Sequence, residues 1–368
     1  MTFLGLLEVF AMLYVLELAF YFYAAYRSRR QNKCVNTPDN LPKVSVVVAA
    51  KDEEKNLPLC LDSLVKLEYP KELLEVIVVN DQSIDSTPVI IDEIANRFSF
   101  TKRVDAIENN MMRGKANALS QGIDKASGEF IFLTDADCTV PATWINETLK
   151  YFDETTGIVG GVTLISETGR SVYGIQALDW DFLLSVGAGA ATIGKPIACL
   201  GNNLVFRKRA YEEVGGYRQI KFSVTEDYAL FKTIAESGKW KYRFPMDRLT
   251  LVHTLPVETL KEVFSQRKRW ATGGKDTGLF GFLTLVPGFF FHWFIILSAL
   301  SSFGLFAKFL LLKALLDTLF VFPTLKHYGK IAHLKFILYF EIYYLIYVAI
   351  LPFSVYFGKA ITWKGRKY

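Results

Sequence analysis

A chain of 368 residues that is 51% hydrophobic, with a net charge of +5, is neither a disordered segment nor a nucleic-acid-coating one. A mean hydropathy of +0.23 and 15% aromatic content, with 30 Phe and 18 Tyr, place part of it in lipid. Four scattered cysteines (Cys34, Cys60, Cys138 and Cys199) without CxxC spacing, and only four histidines, argue against a zinc centre and a disulfide scaffold.

The first element is an apolar run over residues 3–26, broken only by Glu8 and Glu17. About 20 apolar residues cross a bilayer core. Arg27, Arg29, Arg30 and Lys33 follow it, so this end is expected to stay cytoplasmic, with the N-terminus outside. A cleaved leader would put its charge before the run and small residues after it, so the segment reads as an uncleaved anchor, residues 1–30.

Residues 40–275 then alternate between two periodicities. Strands are expected at 44–49 (VSVVVA), 74–79 (LEVIVV) and 129–134 (EFIFLT), and helices at 53–66, 88–98 and 115–126. Continuous apolar strands between helices indicate an α/β domain with a mostly parallel sheet, and such sheets bind ligands at the carboxyl ends of their strands. The loops at 50–54, 80–86 and 135–139 should therefore meet.

Apolar segments return at 279–302, 303–325 and 334–358. The middle one carries Lys308, Lys313 and Asp317. Lys313 and Asp317 lie four apart on one helical face, where they can pair. Three crossings after a cytoplasmic domain would leave the tail, residues 359–368, outside. Yet Lys359, Lys364, Arg366 and Lys367 favour the inside, so one segment fails to cross or the tail breaks the rule.

The three strand ends carry the chemistry: Lys51-Asp52-Glu53-Glu54, then Asn80-Asp81-Gln82-Ser83 with Asp85, then Asp135-Ala136-Asp137. Paired carboxylates at a strand end suit a hard divalent cation, Mg²⁺ or Mn²⁺, shared with substrate phosphates. A solvated loop accounts for any one such pair, and less well for three that converge. There is no GxxxxGK[ST] loop; Arg113-Gly114-Lys115 opens a helix instead, a place where an anion such as a diphosphate can bind. Thr225-Glu226-Asp227 fits an ordinary helix start, and Gln266 to Trp270 fits a basic interfacial anchor.

Taken in order, VSVVVAAKDEE, VVNDQSIDS, RGKANAL, FLTDADC, GNNLVFRK, TEDYAL and QRKRW span residues 44–270. This set resembles the membrane-bound family 2 glycosyltransferases of GT-A fold, which include cellulose, hyaluronan and poly-N-acetylglucosamine synthases and ceramide glucosyltransferases. The resemblance implies an inverting, metal-dependent transfer from a UDP-sugar. Asp81 would accept a hydrogen bond from the uracil, with Asp52 and Glu53 beside the donor. Asp135 would contact the nucleotide's sugar side, Lys115 the donor phosphates, and Asp137 the metal. Asp227 would be the general base. Gln266, Arg269 and Trp270 would close over the diphosphate and the acceptor mouth. Asn80 and Gln82 replace the family's frequent Asp and Gly, and Lys51-Asp52 its Arg-Asn.

QxxRW does not separate lipid from glycan acceptors. One anchor and a short C-terminal bundle over residues 279–358 look more like ceramide glucosyltransferases, so a membrane-lipid hydroxyl is the expected acceptor. The alternative is a processive β-glycan synthase. An inactive membrane scaffold is the reading from another class, and metal-dependent UDP-sugar hydrolysis would discriminate against it. No nucleic-acid partner is expected.

Overall fold

The computed structural model describes residues 2–31, 34–35, 40–108, 112, 114–166, 169–358, 362–363 and 366–367. The basic calls at Lys33, Arg113, Lys359 and Lys364 lie outside them. Helix α1 spans Phe3–Gln31 and leads into the α/β domain. There β1 (Val44–Ala50), α2 (Leu57–Val65), β2 (Leu74–Asn80), α3 (Thr87–Arg97), β3 (Thr101–Asp105), α4 (Lys115–Lys125) and β4 (Phe130–Asp135) follow one another. The alternation read from sequence is met. The addition is β3, whose Thr-Lys-Arg-Val-Asp sequence is polar because it forms the sheet edge.

The chain continues through β5 (Cys138–Thr139), α5 (Trp144–Leu149), β6 (Thr156–Gly160), β7 (Thr163–Ile165), α6 (Ser171–Thr192), β8 (Leu204–Arg207), α7 (Lys208–Glu213), α8 (Gly216–Gln219) and α9 (Glu226–Glu236). It closes with β9 (Lys241–Arg243), β10 (Val252–Thr254) and α10 (Leu260–Gly273). The main sheet has the order β3-β2-β1-β4-β8-β6-β9. It is mostly parallel, with β8 antiparallel to both neighbours. A smaller sheet orders β5-β10-β7. Strand side chains alternate between two cores: Val46, Val48, Val76 and Val78 face α2 and Trp144, while Val47, Ile77 and Val79 face α4. The register aligns Ala50 with Asn80, Asn80 with Asp105, and Ala49 with Asp135, so the carboxyl ends sit level.

Among the described residues three helical stretches, Phe3–Arg27, Leu260–Ser301 and Ile331–Phe357, are long and apolar enough to cross a membrane. Within and between them lie α11 (Gly278–Ser301), α12 (Phe303–Tyr328) and α13 (Ile337–Phe357). Helix α12 buries two of its charges, Lys313 and Asp317, inside the bundle, while Lys308 and Lys326 are exposed. Lys313 Nζ lies 2.7 Å from Asp317 Oδ2, the pairing expected from their spacing, and 2.6 Å from Glu341 Oε2 of α13. Tyr14 of α1 donates to Asp317 Oδ1 at 2.6 Å. Buried charges in lipid persist when paired in this way.

Helix α13 crosses α11 steeply. Tyr344 and Phe353, about 13 Å apart along its axis, both meet α11 between Phe289 and Trp293. Its N-terminal approach is tied to α6, where His333 Nδ1 lies 3.1 Å from Asp181 Oδ2. Near its other end Lys275, which precedes α11, sits 4.8 Å over the Tyr356 ring. The two ends of α13 are thus tied to α6 and to the segment that joins α10 to α11.

Candidate active site

The first two loops form one frame. Asp52 and Gln82 have φ of +52° and +59°, a left-handed conformation that non-glycine residues adopt only when their surroundings impose it. Here the surroundings are reciprocal hydrogen bonds. Asp52 N–H donates to Ser83 Oγ at 3.0 Å, and Asp52 Oδ1 accepts from Ile84 N–H at 2.9 Å. Glu54 N–H donates to Asp85 Oδ2 at 3.0 Å, and Glu54 Oε2 accepts from Ser86 N–H at 3.1 Å. Glu53 N–H donates to Thr87 Oγ1 at 2.8 Å, and its Oε2 accepts from Asn56 at 2.9 Å. Asp52 and Glu53 thus build the cradle wall. Asp81 is buried beside them, its N–H donating to Ala50 O at 2.8 Å. Asn80 binds Asp105 at 2.7 Å, through the edge strand that sequence reading missed.

The three acidic strand ends do converge, but they do not form one cation cage. Among the described residues no group of three or more His, Cys, Asp or Glu could hold a metal ion. Several carboxylates of the first two loops are committed to the frame, which leaves the third strand end. There Asp137 Oδ1 accepts from Cys138 Sγ at 3.4 Å, and Asp135 O accepts from Cys60 Sγ at 3.4 Å. Burial, then the charges of Asp137 and Asp135, push both thiols well up, so they remain neutral. The donors at this strand end are carboxylate oxygens, a set that fits Mg²⁺ or Mn²⁺ completed by substrate phosphates.

Lys115 is the first residue of α4, as expected, and its amine turns to the acids. It lies 2.5 Å from Asp135 Oδ1 and 3.4 Å from Glu226 Oε1. Burial lowers its pKa, but Asp135, Glu226 and Asp227 outweigh burial and hold it above the ordinary range. Asp227 sits in the first turn of α9. Its Oδ2 accepts from Gly201 N–H at 2.9 Å and its Oδ1 from its own neighbour Tyr228 N–H at 2.7 Å. A Cβ at residue 201 would stand 2.5 Å from Asp227 Oδ2, so only glycine allows this bond. Burial, then Glu226, raises the Asp227 pKa from 3.8 to about 6, against the opposing pull of Lys115 and Arg269.

The GNN motif thus has a role that sequence reading did not assign. Gly201 holds Asp227. Asn203 accepts from Trp144 Nε1 at 2.9 Å and donates to Val162 O at 2.8 Å and Thr250 O at 2.9 Å, locking the loop. Thr225 occupies the N-cap of α9 without a side-chain cap bond. It packs instead on Gly273, where a Cβ would meet Thr225 Oγ1 at 2.1 Å. Helix α10, opened by a Thr259–Glu262 capping box, is thereby pressed against the start of α9. Arg269 Nη1 donates to Val224 O at 3.3 Å. Trp270 meets Trp180 of α6 edge to face at 5.1 Å, and Gln266 Oε1 accepts from Arg267 Nη1 at 2.6 Å. The structure therefore gathers Lys115, Asp135 and Asp227 directly, with Asp137 at the same strand end and Gln266, Arg269 and Trp270 on the helix alongside.

A mostly parallel sheet with a DxD at the end of a central strand is the arrangement of the GT-A fold. The family model described as Glycosyl transferase family 2 matches residues 45–215. The poly-beta-1,6-N-acetyl-D-glucosamine synthase of Staphylococcus aureus (strain COL) is 30% identical over 289 residues, 77% of this chain and 67% of that protein. The probable glycosyltransferase YdaM of Bacillus subtilis (strain 168) is 30% identical over 241 residues, 64% of this chain and 56% of that one. The solved mannosyltransferase PcManGT from Pyrobaculum calidifontis, in complex with GDP-Man and Mn²⁺, has a TM-score of 0.66. It covers 93% of this chain and 99% of its own at 20% identity, which speaks to the fold. The chain belongs to glycosyltransferase family 2, whose members in general invert the anomeric centre.

Proposed function

We propose that this protein transfers a sugar from a UDP-sugar, with an N-acetylhexosamine as the first candidate, to the hydroxyl end of a growing β-linked glycan at a membrane. The reaction type rests above all on Asp227. A carboxylate with a pKa of about 6 is largely ionised at pH 7 and still basic enough to take a proton from a hydroxyl. In the proposed step that hydroxyl oxygen forms a bond to the anomeric carbon. The bond from this carbon to the nucleotide diphosphate breaks on the opposite face, and the proton stays on Asp227. Lys115 and Arg269 are the fixed cations for the charge that grows on the leaving group. Asp137, with Asp135 beside it, would hold Mg²⁺ or Mn²⁺, which supplies further neutralisation of the diphosphate when bound. Asp81, in the cradle framed by Asp52 and Glu53, would receive the uracil.

The glycan acceptor is supported by the 30% identity to a poly-beta-1,6-N-acetyl-D-glucosamine synthase over 77% of the chain. That similarity outweighs the helix count from which a lipid acceptor was expected. A lipid hydroxyl stays as the second reading for one reason. Helices α6 and α10, which carry the mouth, pack among the apolar residues of α1 and α13, so an amphiphile could reach Trp270 from the bilayer surface.

The basic residues after α1 support a cytoplasmic catalytic domain. Helix α12 is not among the three most apolar stretches, but it runs for 26 residues and buries Lys313 and Asp317 against α13 and α1. With α11 and α12 crossing after the domain and α13 lying across them, the basic tail would return to the same side. Nucleotide release tests the donor. UDP release from UDP-N-acetylhexosamines that depends on Mg²⁺ or Mn²⁺ is the expected result. Turnover of GDP-mannose in preference to every UDP-sugar would contradict it.

A further inference from the structure

Between α6 and α10 lies an ion pair that the reaction as derived does not use. Arg267 Nε donates to Asp179 Oδ2, and both side chains are buried, at 1% and 0% exposure. Asp179 Oδ1 and Arg267 Nη2 have no hydrogen-bond partner among the described residues. Burying two charges is costly, and well-packed apolar replacements for such a pair are often neutral or stabilising. An incompletely satisfied buried pair is therefore poorly explained by stability. Its geometry explains it better. The guanidinium makes several contacts at once and also stands 5.8 Å from the Trp180 ring centroid. Nε goes to Asp179, Nη1 goes to Gln266 Oε1 at 2.6 Å, and its carbon lies 4.1 Å from the Trp270 ring centroid. A planar, forked cation serves these separated partners from different nitrogens at once, which the single nitrogen of a lysine ammonium matches less well. The far side of the Trp270 cage is Trp180, whose Nε1 donates to Thr163 O of β7 at 2.6 Å.

We propose that Arg267 and Asp179 are positioning residues that set Gln266 and Trp270 for the acceptor. Asp179 fixes the guanidinium to α6, whose Leu178 and Phe182 pack in the apolar bundle with Leu7 and Phe320. The guanidinium in turn fixes the amide and the indole. The pair thereby couples the packing of the membrane bundle to the acceptor mouth. This inference rests on the reading that Gln266 and Trp270 face the acceptor.

The test uses the full chain in nanodiscs and reads four quantities: sugar transfer, hydrolysis of the UDP-sugar by water, donor KM and thermal midpoint. The variants are Arg267→Lys, Asp179→Asn, the apolar double variant Asp179→Leu with Arg267→Met, and Trp270→Ala as reference. A misplacement of about 1 Å costs on the order of 100-fold in rate. Arg267→Lys and Asp179→Asn should therefore lower the ratio of transfer to hydrolysis by about tenfold or more, with donor KM within about threefold of the parent. The double variant should keep the parent's thermal midpoint and show the partition of Trp270→Ala. A parent-like Arg267→Lys, a proportional fall of transfer and hydrolysis, or an unfolded double variant would mark the pair as structural and overturn the proposal. If Trp270→Ala itself leaves the partition unchanged, it is the acceptor-mouth reading that fails.

Discussion

Replacing Asp227 by Asn separates the chemistry of the proposed base from its structural role. Its pKa is raised from 3.8 to about 6, first by burial and then by Glu226. The folded state therefore binds this proton more tightly than the unfolded chain. The corresponding stabilisation is complete below about pH 3.8 and is lost as pH rises through about 6. At pH 7 the ionised carboxylate costs at most about 3 kcal/mol, and less because it is partly exposed to solvent. Asn removes that cost but can accept from only one of Gly201 N–H and Tyr228 N–H, turning its amide NH₂ on the other, a loss of about 1–3 kcal/mol. The two effects nearly cancel, so the thermal midpoint should move by no more than a few degrees, about 2–4 °C per kcal/mol. Transfer should fall by about 10²- to 10⁴-fold, the usual worth of a general base, while UDP affinity is kept. In the parent, kcat/KM should fall as pH drops through about 6, and the residual activity of the variant should lack this limb. Retention of more than about a tenth of the transfer rate, equal loss of UDP binding, or an unchanged acid limb would refute the assignment.

Lys115→Met should move the acid limb to higher pH, because Lys115 opposes the upward shift of Asp227; a pH–rate profile of the variant reads the displacement directly. Gly273→Ala places a methyl 2.1 Å from Thr225 Oγ1 and should cost about 1–3 kcal/mol of stability along with transfer. Adding Thr225→Ala should recover a measurable part of both. For the tail, single cysteines at positions 2 and 362 of a cysteine-free parent, probed with an impermeant maleimide on right-side-out vesicles, should label at 2 and not at 362. Labelling at both would mean that α13 crosses the bilayer.

Residues with a strict local signature were legible. The DxD, the acid of α9 and QxxRW are fixed in type and spacing, and the i, i+4 pair Lys313–Asp317 follows from helical geometry alone. The buried strands β1, β2 and β4 read as continuous β-branched and aromatic runs. What was illegible depends on tertiary contact. Helix α6 is buried around most of its circumference, so its Gly, Ala and Trp residues and its two Asp show no polar stripe. Edge strand β3 has three charges in five residues. Asp52, Glu53 and Glu54 read from sequence as candidates at the donor and metal site, but their part in a frame was not readable, because the hydrogen bonds that build it join loops about 30 residues apart. Arg267 stood in the sequence only as a variable position of QxxRW, since its partner Asp179 is 88 residues away.

The acceptor is the central claim and can be read from one product analysis. Membranes containing the protein are given labelled UDP-N-acetylglucosamine with Mg²⁺ or Mn²⁺, and the products are divided between organic and aqueous phases, with the Asp227→Asn chain as blank. The account expects label in a large, aqueous, β-hexosaminidase-sensitive product that is missing from the blank. Label confined to one discrete organic-phase species would contradict it and make the protein a lipid glycosyltransferase.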